Sequence, residues 1–98
     1  MIDVTPEQLE LVKSILRHFV PTAKIITFGS RVMGNTRDTS DLDLAIDDNR
    51  KLSLSELGLI IEAFQESDLS FRVDVIDWHR TSEEFKEIIN QGFEEILL

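Results

Sequence analysis

The run DLDLAID at positions 41–47 constrains the chain more tightly than any other stretch. Leu42, Leu44 and Ile46 fall on one side of a period-two repeat, and Asp41, Asp43, Ala45 and Asp47 on the other. That alternation describes a β-strand with one face in a core and an acidic face turned away from it. Two carboxylates at i and i+2 then project side by side. Unpaired, they repel, and one tends to keep its proton. A hard divalent cation removes the conflict, and carboxylate oxygens are the ligands that Mg²⁺ prefers.

The rest of the chain is read around that strand. Ninety-eight residues fit one domain, 1–98, with a single core. Apolar residues at 42% and charged residues at 30% are ordinary for a folded globular chain. The formal net charge of −9, with no basic stripe, argues against long DNA or RNA as the main partner. It leaves room for a nucleotide held with a metal, and for a basic protein surface. There are no cysteines, so disulfides, zinc thiolate sites and thiol catalysis are excluded. The opening MIDVTPEQLE is not a signal peptide, and no apolar run reaches the ~20 residues that span a bilayer. A cytoplasmic protein, away from membranes, is the expectation.

Helix signals flank three strand signals. Thr5 and Gln8 form a capping box around Pro6, ahead of the apolar face Leu9, Val12, Leu16 and Phe19. AKIITF, 23–28, is a short strand that ends at Gly29. Positions 31–38 hold at most a short helix, weakened by Gly34 and Asn35. Ser53 and Glu56 cap a helix with Leu57, Ile60, Ile61 and Phe64 on its core face. FRVDVID, 71–77, alternates again, and Thr81 with Glu84 opens a last helix whose face is Phe85, Ile88, Ile89, Phe93, Ile96 and Leu97. The order is α-β-α-β-α-β-α, an α+β domain with a three-stranded mixed sheet. Strands two and three are separated by about two dozen residues with a helix, enough for a right-handed parallel crossover. About a dozen residues link strands one and two, which favours an antiparallel pair. Gly29-Ser30 and Asp41/Asp43 then share one corner.

Asp74, inside the third strand, is the third carboxylate candidate on that face. Three carboxylates can bridge two Mg²⁺ ions about 3.5–4 Å apart, the spacing used for in-line displacement at phosphorus. Gly29 lets the backbone approach a phosphate, Ser30 and nearby N–H groups can donate to its oxygens, and Arg31 adds a charge-assisted contact. GSRVMGNT, 29–36, also approaches the phosphate-loop pattern G-x-x-x-x-G-K-[ST], but Asn35 stands where the lysine belongs, and that reading is rejected. An EF-hand fails as well, since Ala45 stands where a ligand is needed.

Gly29-Ser30, ten residues, then Asp41-x-Asp43 resembles the G-S-x10-D-x-D pattern of the DNA polymerase β-type nucleotidyltransferase superfamily. Asp74 falls where that family has its third carboxylate. FGSR, SDLDLAI and RVDVIDW are similar to the minimal nucleotidyltransferases, the MNT proteins of HEPN/MNT toxin–antitoxin pairs. The resemblance implies Mg²⁺-dependent transfer of a nucleoside monophosphate, AMP from ATP, to an acceptor hydroxyl. It implies metal ligation by Asp41, Asp43 and Asp74, and binding of the β- and γ-phosphates by Gly29 and Ser30. It also implies a HEPN-domain toxin as partner, silenced by adenylylation of a tyrosine, with this chain as antitoxin. Two other functions stay open: a non-catalytic module that masks the toxin, and a transferase acting on a small molecule such as an aminoglycoside.

Other residues read more blandly. Arg72 either contacts phosphate or balances the carboxylates, Trp78 packs under the last helix rather than stacking on a purine, His79 is a loop residue, and Asp47 and Asp48 are turn residues.

Overall fold

The computed structural model describes residues 2–29, 31 and 41–98, and its elements begin where the capping residues stand. Thr5 Oγ1 accepts from the Gln8 N–H at 3.1 Å, and Gln8 Oε1 accepts from the Thr5 N–H at 2.8 Å. This starts α1 (Pro6–Phe19). Strand β1 (Lys24–Phe28) follows, then β2 (Leu42–Asp47). The Ser53/Glu56 box opens α2 (Leu54–Gln65), which leads to β3 (Val73–Asp77). A 3-10 turn (Trp78–Arg80), α3 (Glu83–Asn90) and β4 (Phe93–Ile96) complete the described elements. The expected short helix at 31–38 lies outside the described residues apart from Arg31.

The sheet order is β3-β2-β1-β4. β1 pairs antiparallel with β2, and β2 pairs parallel with β3, as the lengths of their connections require. Leu42, Leu44 and Ile46 of β2, with Ile25 of β1, are fully buried against Val12 and Leu16 of α1 and Ile60 of α2. The opposite face carries a smaller apolar cluster of Ile26, Ala45 and Ile89, with Phe28, Ile76 and Trp78 packed around it. Helix α3 thus covers only part of that face, and the aspartates occupy the remainder.

The C-terminal segment corrects the expected order in two respects. Ser82, not Thr81, caps α3, because its Oγ accepts from the Phe85 N–H at 3.2 Å while Thr81 Oγ1 donates to the Asp77 carbonyl at 2.8 Å. The helix also stops at Asn90, and residues 93–96 form β4, antiparallel to β1, so the sheet has four strands rather than three. Phe93 and Ile96 are three apart and mimic a helical face, but they pair with Phe28 and Ile25. Ile96 is 3% exposed in the main core. Burial along an edge of β1 outweighs the local period. No helix among the described residues is long and apolar enough to cross a membrane.

Candidate active site

Sheet register brings the acidic residues together. Phe28 of β1 stands opposite Asp43 of β2, and Asp43 opposite Asp74 of β3. These residues form one row across three strands, with Asp43 and Asp74 about one strand spacing, ~4.8 Å, apart. By alternation, the row shares its face with Ala45 and Ile76, on the side that α3 only partly covers. Asp41 lies just before β2, two residues from Asp43. The Leu42 N–H donates to the Arg72 carbonyl at 2.9 Å, locking the entry of β2 to that of β3.

The glycine turn adjoins this row. Gly29 has φ +85°, in the left-handed region that favours glycine, and a Cβ built there would collide with Asp43 Oδ2 and lie 3.3 Å from its Cγ. The turn backbone therefore rests against the Asp43 carboxylate, and no other residue allows that approach. A phosphate held by the turn would sit beside the carboxylates. Ser30 lies outside the described residues. Arg31 is buried at 6% exposure; its described contacts are an N–H donated from Nη1 to the Asp3 carbonyl at 2.7 Å and a guanidinium 4.1 Å from the Phe71 ring centroid. With the Asp3 N–H donating to the Arg31 carbonyl at 2.9 Å, they fasten the residue after the turn to the N-terminal segment.

Electrostatics mark Asp43 as the centre of the row. Partial burial, then the charges of Asp74 and Asp41, push its carboxyl up from 3.8 to about 6. The site therefore favours a cation or a proton there. Asp74 Oδ1 takes part of the relief from Arg72 Nη2 at 2.9 Å, so Arg72 balances a carboxylate while remaining 75% exposed itself. Among the described residues, no group of three or more acidic or histidine side chains is placed to hold a metal ion, so Asp41, Asp43 and Asp74 do not meet as one three-ligand set. The pair that the sheet register does bring together, Asp43 and Asp74, offers hard carboxylate oxygens of the kind Mg²⁺ takes. The donor set fits the ion: hard oxygens, crowded like charge, and a glycine turn alongside for phosphate.

Several neighbouring groups have structural roles. Asp77, which the alternation of 71–77 does not single out, is 2% exposed. Its Oδ2 accepts from the Leu52 N–H at 2.8 Å, its Oδ1 accepts from the His79 N–H at 3.0 Å, and Arg80 Nε lies 3.6 Å away. It is a structural acid three residues from the candidate Asp74. Asp47 ends the acidic face of β2 and contacts His79 Nε2 at 2.6 Å, so His79, in the turn after β3, is the partner of that carboxylate. Burial pushes the Asp47 carboxyl up, but His79, the Asn49 N–H and Lys24 outweigh it and leave the group below its ordinary value. Trp78 packs against the Ile26–Ala45–Ile89 cluster with Lys86 Nζ 5.1 Å from its ring centroid, as the packing reading expected.

A cleft of about 820 Å³ opens from Asp43 and Asp74 toward β3, with Phe28, Ile76 and Phe85 as its apolar wall on that side. Phe28 and Phe85 meet edge to face at 5.8 Å. Neither was singled out as a site residue from sequence. The only available signal was that Phe28 immediately precedes Gly29 and Phe85 lies on an amphipathic face.

A mixed sheet with a glycine turn set against paired carboxylates defines the class as nucleotidyl-transferring, and the comparisons with known proteins agree. The family described as "Polymerase beta, Nucleotidyltransferase" matches residues 10–96, and the chain belongs to that family. It is 47% identical over 92 residues to "Probable protein adenylyltransferase MntA" of Haemophilus influenzae, spanning 94% of this chain and 81% of that protein. A crystal structure from Sulfolobus solfataricus, assigned to the nucleotidyltransferases, matches with a TM-score of 0.50 at 20% identity, over 93% of this chain and 78% of that one. This last likeness bears on the fold alone.

Proposed function

We propose that this nucleotidyltransferase moves AMP from ATP to a tyrosine hydroxyl on a HEPN-domain toxin and thereby acts as its antitoxin, 1–98 forming the catalytic domain. The single observation that carries the reading is the Asp43–Asp74 register beside the Gly29 turn. The name of the Haemophilus influenzae relative, a protein adenylyltransferase, supports a protein as the acceptor.

In this reading, Asp41 and Asp43 hold two Mg²⁺ ions and Asp74 completes the acceptor-side position. The ions, when bound, neutralise charge on the phosphates and on the attacking oxygen. The protein's own groups do the positioning. Gly29 and Ser30 seat the β- and γ-phosphates, and Arg31 serves them by pinning the turn to Asp3. The acceptor oxygen forms a bond to the α-phosphorus as the α–β bridging bond breaks and pyrophosphate leaves. The hydroxyl proton passes to a carboxylate of the row, with Asp74 on the acceptor side. Asp43, whose carboxyl is pushed up to about 6, is ionised in most molecules at neutral pH, and a cation beside it would favour that form further. Holding both reactants in line supplies most of the rate enhancement such chemistry needs.

The test is incubation with Mg²⁺, the toxin and ATP labelled in the α-phosphate. Label should move to the toxin, and Asp43→Ala should stop it while leaving the fold intact. Toxin neutralised equally well by Asp43→Ala would identify a masking module instead, and label moving only to aminoglycosides would identify a small-molecule transferase.

A further inference from the structure

We propose that the open edge of β3 is the acceptor-binding edge, where an extended polypeptide segment with basic residues adds as a strand and delivers its hydroxyl to Asp74. The inference rests on the reading of Asp74 as the acceptor-side carboxylate.

Three observations converge. Among the described residues, β3 is the outermost strand on its side of the sheet. The Leu42 N–H donates to the Arg72 carbonyl, and in a parallel ladder that bond turns the backbone groups of Arg72, Asp74 and Ile76 toward β2. Those of Val73 and Val75 point outward, and among the described residues they have no backbone partner beyond the strand. Such a row of donors and acceptors is a template for another chain.

The cleft has the shape that an added strand needs. It runs round β3, so that Asp43, Asp74, Ile76 and Phe85 line it on one face of the sheet. Ile61, Phe64, Leu69, Phe71 and Val73 line it on the other. Successive side chains of an extended segment point to opposite faces, and here each face offers them an apolar wall. Among the described lining residues, most belong to β3 and to the connection that leads into it, so the cleft follows the strand that carries Asp74.

Charge selects the kind of segment. The connection from α2 to β3 exposes Glu66 and Asp68 beside Leu69, and Asp43 and Asp74 lie within the cleft. Among the described lining residues the cation is Arg72, and Asp74 already engages it. An acidic rim around an open strand edge fits a polypeptide with Lys or Arg flanking the acceptor.

The test uses isotope-labelled protein without nucleotide and pools of nine-residue peptides with a central Tyr flanked by Lys. The amides of Val73 and Val75 should shift and exchange more slowly as the pool binds. N-methylation of every second peptide amide should weaken binding roughly tenfold in one frame, the loss expected for about two backbone hydrogen bonds, and leave the other frame like the parent. A pool with Glu in place of Lys should bind more weakly still. Equal binding in both frames, absence of binding, or perturbation confined to residues away from β3 would overturn the proposal. The outcome is separate from nucleotide transfer. Perturbed Val73 and Val75 with no transfer to any acceptor leaves the edge site standing and removes the proposed function. Transfer to a bound toxin that leaves both amides unchanged does the reverse.

Discussion

Gly29 and Asp43 touch so closely that a side chain at position 29 would strike the Asp43 carboxylate. The left-handed φ of +85° adds a second cost to any substitution there. Gly29→Ala should destabilise the fold by about 1–2 kcal/mol from the backbone alone. It should also displace the carboxylate and reduce transfer more than its stability loss explains. A urea midpoint beside a transfer assay measures both. Unchanged activity would separate the turn from the site.

Asp43 predicts a pH dependence of metal-free stability. Its folded carboxyl is raised from 3.8 to about 6, so its favourable contribution is complete below the unfolded value and is lost as pH rises through about 6. After allowance for its partial exposure, the loss is on the order of 1 kcal/mol. Asp43→Asn should remove that slope and be the more stable protein at pH 7.5 without metal. Urea denaturation at pH 5 and 7.5 reads it, and Mg²⁺ should restore wild-type stability while leaving the variant unaffected.

Glu56 predicts the opposite sign. Its hydrogen bond from Arg50 at 2.7 Å, with the N–H of Ser53, lowers its carboxyl to about 2. Its contribution is present above the ordinary value of 4.5 and disappears as pH falls through about 2. Wild type should exceed Glu56→Gln in stability near pH 6, and the gap should close on the acid limb of a thermal melt series.

Two aspartates of β3 should behave as different kinds of residue. Asp77→Ala leaves the Leu52 and His79 N–H groups without their buried acceptor and takes the carboxylate from Arg80, which keeps its hydrogen bonds to the Leu52 carbonyl, and should cost about 3 kcal/mol. Asp74→Asn, at a half-exposed position, should keep the midpoint within about 0.5 kcal/mol and lose transfer. Calorimetric melts of the two variants distinguish them, and a large stability loss in Asp74→Asn would mark it as structural.

Much of this was legible in the residues because short-range physics governs it. The boxes Thr5/Gln8 and Ser53/Glu56 close as their spacing requires, and the alternation of 42–47 buries Leu42, Leu44 and Ile46 together. Connection lengths decided which strand pairs run parallel. What could not be read depends on partners distant in sequence. Phe93–Ile96 keeps a helical spacing and becomes a strand only because β1 offers it an edge. Asp74 and Asp77 sit three residues apart in one acidic, apolar run, and only the neighbours of each, Asp43 for one and Leu52 for the other, separate their roles. The pairing of Asp47 with His79 spans 32 residues and has no local signal.

The most direct measurement is calorimetric titration of Mg²⁺ into the protein with a non-hydrolysable ATP analogue present. The carboxylate row beside the Gly29 turn predicts two bound ions in wild type, and loss of both in Asp43→Asn with the fold retained. Metal binding in Asp43→Asn that matches wild type would contradict it.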